Sequence, residues 1–234
     1  MKQINQFITE YIIKKKLDKP IDSENHYEYS PETKEELIKV IQILLDKGET
    51  DLNCIDTIKI TDMSELFYNK EDINIDVSKW NVSNVKDMNR MFYNCEDFNC
   101  DLSNWDVSKV ENMERMFHYC ENFNCDLSKW NVSKVKNTSY MFYSCKNFDC
   151  DLSNWDVSNV EKIDHMFCEC KNFIGKGLDN WNINKKVVDM SNMFDGCKKF
   201  NCDLSKWNTK RVKDMRYMFY NCDSLKNKPN WYKA

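Results

Sequence analysis

The sequence predicts an α/β fold: a solenoid of about seven 25-residue repeats, with short parallel strands on one face and short helices on the other. Tryptophan sets the beat, at Trp80, Trp105, Trp130, Trp155, Trp181 and Trp207, in steps of 25, 25, 25, 26 and 26 residues. A Met-Phe pair keeps time with it at Met91-Phe92, Met116-Phe117, Met141-Phe142, Met166-Phe167, Met193-Phe194 and Met218-Phe219. Such self-similarity means one supersecondary unit copied along an axis and stabilised by its neighbours. Inside each unit the apolar spacing changes from two to that of a helix.

Two amphipathic helices are expected to form an N-terminal cap over residues 1–49. The first carries Ile4, Phe7, Ile8, Tyr11 and Ile12 on one stripe, with Pro20 beyond its end. In the second, Ser30 stands at the N-cap, Pro31 at N1 and Glu32 in the first turn, followed by Leu37, Val40, Ile41 and Leu44, with Gly48 past the end. Repeats then fill residues 50–225. The first is degenerate, with Ile55 in the Trp place and Leu66-Phe67 in the Met-Phe place. Between Ile174 and Val188 the array drifts by an added residue on each side of Trp181, and Gly175 and Gly177 suggest a loosened bulge. Residues 226–234, with Pro229, Trp231 and Tyr232, read as a C-terminal lid.

Residues 98–122 show the unit. Trp105 and Val107 alternate with Asn104 and Asp106, the mark of a short strand with one buried face. Val110, Met113, Met116, Phe117 and Cys120 then follow a helical stripe, with Ser108 and Glu111 placed as a capping box. Strands would stack about 4.7 to 4.9 Å apart and helices about 8 to 10 Å, so the array should bend with its strands inside. A second short strand with a 3₁₀ turn fits the same spacing in place of the helix.

The run MFxxCxxFNxDLSxWxVSxVxxMxxMF, from about residue 50 onwards, resembles the repeat of BspA-like leucine-rich-repeat surface proteins and related bacterial surface and lipoprotein repeats of unknown function. That resemblance implies a right-handed, leucine-rich-repeat-like solenoid, a role in attachment or protein recognition, and a place at the cell surface. It brings no catalytic residue with it.

Composition narrows the function. Charged residues make up 31% and the net charge is -4, without a basic block, so no nucleic-acid footprint is expected. Neither a secretory h-region nor an apolar run of membrane-spanning length is visible, which favours a cytoplasmic location. The cysteines obey the repeat, as Cys95, Cys120, Cys145, Cys170, Cys197 and Cys222, and as Cys100, Cys125, Cys150 and Cys202. They read as small buried thiols, with disulfides between rungs as the alternative in an oxidising compartment and no metal-ligand spacing among them. Asp76, Asp101, Asp126, Asp151 and Asp203 are placed for Asx turns, with calcium as the alternative. The tryptophans read as an inner spine, with an exposed sugar-binding stripe as the alternative.

No nucleophile-base pair, phosphate loop or dinucleotide fingerprint occurs, so no enzyme and no cofactor are expected. Polar positions beside the tryptophans alternate in charge, which suggests a lattice of ion pairs with Lys129 between Asp106 and Asp156. The candidate interaction face is therefore Lys79, Asn81, Asn104, Asp106, Lys129, Asn131, Asn154, Asp156, Lys206 and Asn208. The expected function is a scaffold recognising an unidentified protein partner. A surface adhesin and a self-associating structural protein are the alternatives.

Overall fold

Apolar residues three apart sit at the two ends of β-turns throughout the repeats. In the unit from 102 to 123, backbone N–H groups of Trp105, Val110, Met116, His118, Cys120 and Phe123 donate to the carbonyls of Leu102, Val107, Met113, Arg115, Phe117 and Cys120, each three residues earlier. Both ends of such a turn face inward, so a chain of turns buries the i and i+3 positions just as a helix would. The computed structural model, which describes residues 27–233, has one α-helix, α1 (Lys34–Asp46), one 3₁₀ turn (Leu178–Asn180) and seven isolated parallel bridge pairs.

This overturns the expected α/β architecture. Among the described residues the repeats contain no strand and no α-helix, so neither a sheet on one face nor a row of helices on the other is formed. The leucine-rich-repeat-like solenoid goes with it. What forms instead is a stack of windings held in register, with bridges Asp62 to Asp87, Asp87 to Asn112, Asn112 to Asn137 and Asn137 to Lys162 at one position per winding.

The misread segment is the one after Val110. Met113, Arg115, Phe117 and Tyr119 donate their N–H groups to the carbonyls of Asn137, Ser139, Met141 and Tyr143 in the next winding, at 2.8 to 3.0 Å. Alternate N–H groups point along the stack because two residues per winding adopt the left-handed region, here Arg115 at φ 55° and Tyr119 at φ 61°. The same pair of positions recurs from Glu65 and Asn69 to Tyr217 and Asn221, and only Gly196 among them is a glycine. Each such residue costs about 1 to 2 kcal/mol, whereas each hydrogen bond contributes about 0.5 to 1.5 kcal/mol net. Four bonds against two strained residues is a near balance, so the conformation holds only where a neighbouring winding accepts.

The interior is a set of columns. Tryptophans from Trp80 to Trp207 are at most 4% exposed, and the indoles of Trp130, Trp155, Trp181, Trp207 and Trp231 lie parallel at 6.3 to 6.5 Å. Each indole N–H donates to a carbonyl of the previous winding, as Trp105 does to Val77 at 3.1 Å and Trp130 to Leu102 at 3.0 Å. The thiols of Cys120 and Cys145 do likewise to Phe92 and Phe117, both at 3.0 Å. Those carbonyls already accept a turn N–H, so the side chain of the next winding takes the second lone pair. Phe92, Phe117 and Phe142 form a third column, with centroids 5.7 Å apart.

Helix α1 buries Leu37, Val40, Ile41 and Leu44. Its N-cap is Thr33, one turn later than Ser30, because the Thr33 hydroxyl accepts the Glu36 N–H at 3.2 Å. The expected first helix lies outside the described residues. At the other end Trp231 joins the indole column and donates to Leu204 at 2.8 Å, so the tail supplies the Trp half of another winding.

The glycines near Trp181 do not loosen the chain. Gly177, at φ 88°, lies so close to the previous winding that a Cβ there would stand 2.2 Å from the backbone nitrogen of Ser153. The added residue is taken up in the 3₁₀ turn, and Trp181 keeps its place 6.4 Å from Trp155. Gly177→Ala should therefore cost about 2 kcal/mol or more in urea unfolding; an unchanged midpoint would rule out the close approach. Trp130→Ala should cost about 3 to 5 kcal/mol in the same measurement.

Candidate interaction face

The ten positions named from sequence are all exposed. Their polar atoms largely serve the local backbone. Asn81 and Asn131 accept the N–H and hydroxyl of Ser83 and Ser133, and Asp106 and Asp156 accept the N–H of Ser108 and Ser158, each forming an Asx turn. Asn208 accepts the Lys210 N–H at 3.4 Å, Asn154 donates to the Ser128 carbonyl at 3.3 Å, and the Lys79 N–H donates to Asn53. Asn104, Lys129 and Lys206 make no side-chain hydrogen bond or ion pair among the described residues. The expected lattice does not form: Lys129 pairs with neither Asp106 nor Asp156, and its charge acts at a distance on Asp101 and Asp126. Ion pairs between windings lie elsewhere, as in Lys136 with Glu111 at 2.6 Å and Lys176 with Asp151 at 2.9 Å.

The aspartate ladder does form Asx turns, with Asp76, Asp101, Asp126, Asp151 and Asp203 accepting the N–H two residues on. Hydrogen bonds from Ser78 and Ser153 hold the Asp76 and Asp151 carboxyls down at about 2. Beside them, Cys125 and Cys150 accept the N–H of Leu102 and Leu127, and burial pushes both thiols up to about 11. An open groove of about 480 Å³ runs here between Asp126, Cys125, Asp149 and Cys150. No group of three or more His, Cys, Asp or Glu among the described residues is arranged to hold a metal ion.

The opposite side of each winding, around the Met-Phe turns, departs from the repeat. The residue after each Phe reads Tyr68, Tyr93, His118, Tyr143, Cys168, Asp195 and Tyr220, and the first left-handed position reads Glu65, Arg90, Arg115, Tyr140, His165, Asn192 and Tyr217. Tyr68, Tyr93, His118 and Tyr143 stack into one column with centroids 4.6 to 4.8 Å apart. Tyr119 stands edge-on against His118 at 4.5 Å and is 36% exposed. The Arg115 guanidinium lies 4.5 Å above the Tyr140 ring, pairs with Glu114, and Tyr140 stacks on His165 at 4.2 Å. At the left-handed positions Arg115 and Tyr140 are half-buried and Tyr119 is exposed.

His118 is the odd member. It is 7% exposed, and its Nδ1 is buried without a hydrogen-bond partner. Burial, with the charges of Arg115 and Arg90, pushes its pKa down to about 3. Below it in the column, burial and then the Asp195 and Glu169 charges raise the Cys168 thiol to about 12. His165 and Asp164 approach to 3.3 Å, but a thiol so hard to ionise is no nucleophile for them. Sequence reasoning passed over this face because it followed what repeats; the signal lay in what does not.

Turn-built windings with a variable aromatic face define a repeat protein. Residues 39–153 and 139–233 match the model of a family described as Mycoplasma protein of unknown function, DUF285, and the chain belongs to that family. No curated protein and no solved structure matches it. No helix among the described residues is long and apolar enough to cross a membrane.

The sign of the His118 shift fixes a pH test. A histidine of ordinary pKa near 6.5 when unfolded and about 3 when folded takes up its proton in the unfolded state first. Stability is then intact above pH 6.5 and is lost progressively as pH falls from there towards 3. His118→Tyr, which copies Tyr93 and Tyr143, should flatten the melting temperature over that window; an unaltered pH profile would show that His118 titrates normally.

Proposed function

We propose that the chain is a non-enzymatic module that recognises another protein through its Met-Phe turn face. The observation that carries this reading is that between Asp62 and Asn221 every Tyr and His, and three of the four Arg (Arg90, Arg115 and Arg216), fall in the Met-Phe turn segments, at positions where the repeat is otherwise free to vary. Tyr and Arg dominate the residues that supply binding energy at protein interfaces, since each offers a large contact area with few rotors or a planar donor fork. Around Tyr119 this face holds Tyr93, Arg115, Tyr140 and Tyr143; the rings of Tyr93 and Tyr143 stack on His118 and stand edge-on to Tyr119, and that of Tyr140 stacks on His165, so they lose little freedom on binding. Rings stacked on one another present edges and hydroxyls rather than open faces, which suits a protein surface better than an inserted sugar or base. The absence of an activated nucleophile at Cys168 supports binding over catalysis. The ten polar positions beside the tryptophans remain exposed, but the carboxyl and amide groups of Asn81, Asp106, Asn131, Asp156 and Asn208 are committed to turns.

The chain serves as bait in an affinity capture with quantitative mass spectrometry. Arg115→Asn with Tyr119→Asn places at each site a residue found at an equivalent position, Asn192 and Asn94, so the backbone is preserved. That variant should lose the captured protein by about tenfold or more, equivalent to about 1.4 kcal/mol. Lys79→Ala with Lys129→Ala should retain it; the reverse pattern would return the interface to the Trp side.

A further inference from the structure

The two ends of the stack differ in both hydrogen bonding and charge. Each winding donates alternate N–H groups towards the next, and in the last one Met215, Tyr217, Phe219 and Asn221 are the donors. Among the described residues these four N–H groups have no acceptor. The tail packs Trp231 on Trp207 and Tyr232 on Phe219, and leaves Tyr217 and Tyr220 59% and 56% exposed. Eight cationic and three acidic side chains fall within residues 203–234, a net +5 in a chain of net charge -4. Among the described residues 27–76 there are five cationic and thirteen acidic side chains, a net -8. Residues 77–202 are close to neutral, so the described residues form an electrostatic dipole along the stacking axis.

We infer that a second copy of this chain docks head to tail, its acidic α1 end against the basic end that carries the free N–H row. The start of helix α1 is tied to the first winding by Lys34, whose Nζ donates to Asp62 and Ser64, and this end offers carboxylates as acceptors, with Glu35, Asp46 and Glu49 exposed on and just after the helix. Ile38, 45% exposed on α1, is the apolar counterpart of Tyr217 and Tyr220. The surfaces that meet are different, so the contact is heterologous and propagates into a ring or a filament. The turn face runs along the side of the stack and stays free.

Sedimentation velocity over a hundredfold range of concentration tests this. The parent should sediment faster as concentration rises, and less so when salt is raised from about 0.05 to 0.5 M, over which the screening length falls about threefold. One variant carries Lys210→Glu, Arg211→Glu, Lys226→Glu and Lys228→Glu, which brings the basic end to -3. A second carries Glu35→Lys, Asp46→Lys, Glu49→Lys, Glu71→Lys and Asp72→Lys, which brings residues 27–76 to +2. Each alone should stay monomeric with an unchanged melting temperature, and an equimolar mixture should recover the association. Arg115→Asn with Tyr119→Asn should associate as the parent does. A parent that stays monomeric throughout, variants that associate without each other, or loss of association in the turn-face variant would each overturn the inference.

Discussion

Everything in this structure hangs on backbone N–H groups that find their acceptors one winding away. From Met63 to Asn69, and in the later copies up to the last, alternate N–H groups leave their own winding for a carbonyl 24 residues on, or 26 across the lengthened winding after His165. The left-handed residues exist to aim those groups. A single unit would carry their strain with no bond to offset it, so no unit is stable alone, and nearest-neighbour interfaces dominate as in other repeat arrays. This is also why the ends matter: each interior winding is satisfied by two neighbours and each terminal one by a single neighbour.

Much of the molecule was legible in the sequence because ladders are legible. The tryptophan period gave the inner column, the Asp-Leu-Ser run gave the Asx turns, and Leu37, Val40, Ile41 and Leu44 gave α1. The secondary structure inside the unit was not legible. Val110, Met113, Met116, Phe117 and Cys120 satisfy a helix and a run of turns equally, since both bring residues three apart to one side. Glycine or asparagine would have flagged the left-handed positions, but Arg115, Tyr119, Tyr140 and His165 occupy them. Only hydrogen bonds to a neighbouring copy select turns, and periodicity within one unit does not contain that information. The charge alternation at Lys129 misled for a related reason: Asp106 and Asp156 have backbone partners two residues away, nearer than any lysine.

The candidate face was illegible from the repeat and visible from its exceptions. Positions that hold one residue in all windings answer to packing. Those that read Tyr, His, Cys and Asp in succession, as the residue after each Phe does, are under no such common demand. His118 shows the cost that such a position tolerates, a ring nitrogen buried without a partner between two tyrosines. Strain in the backbone and an unsatisfied imidazole therefore fall on one side of the stack, the side that varies.

The degenerate first unit follows from the same hydrogen-bond logic. A turn carbonyl has two lone pairs, one used by its own turn and one left pointing at the next winding. Trp80 and Cys95 supply that second donor, the indole N–H to Leu52 and the thiol to Phe67. Going back one period from each leads to Ile55 and Lys70, where no turn of an earlier winding lies among the described residues to present a carbonyl. A donor there would be buried without use, so an aliphatic chain serves in place of the indole and an exposed lysine in place of the thiol. Tryptophan and cysteine recur in this chain because each carries a hydrogen-bond donor on an otherwise apolar side chain, and they stop where the acceptor stops.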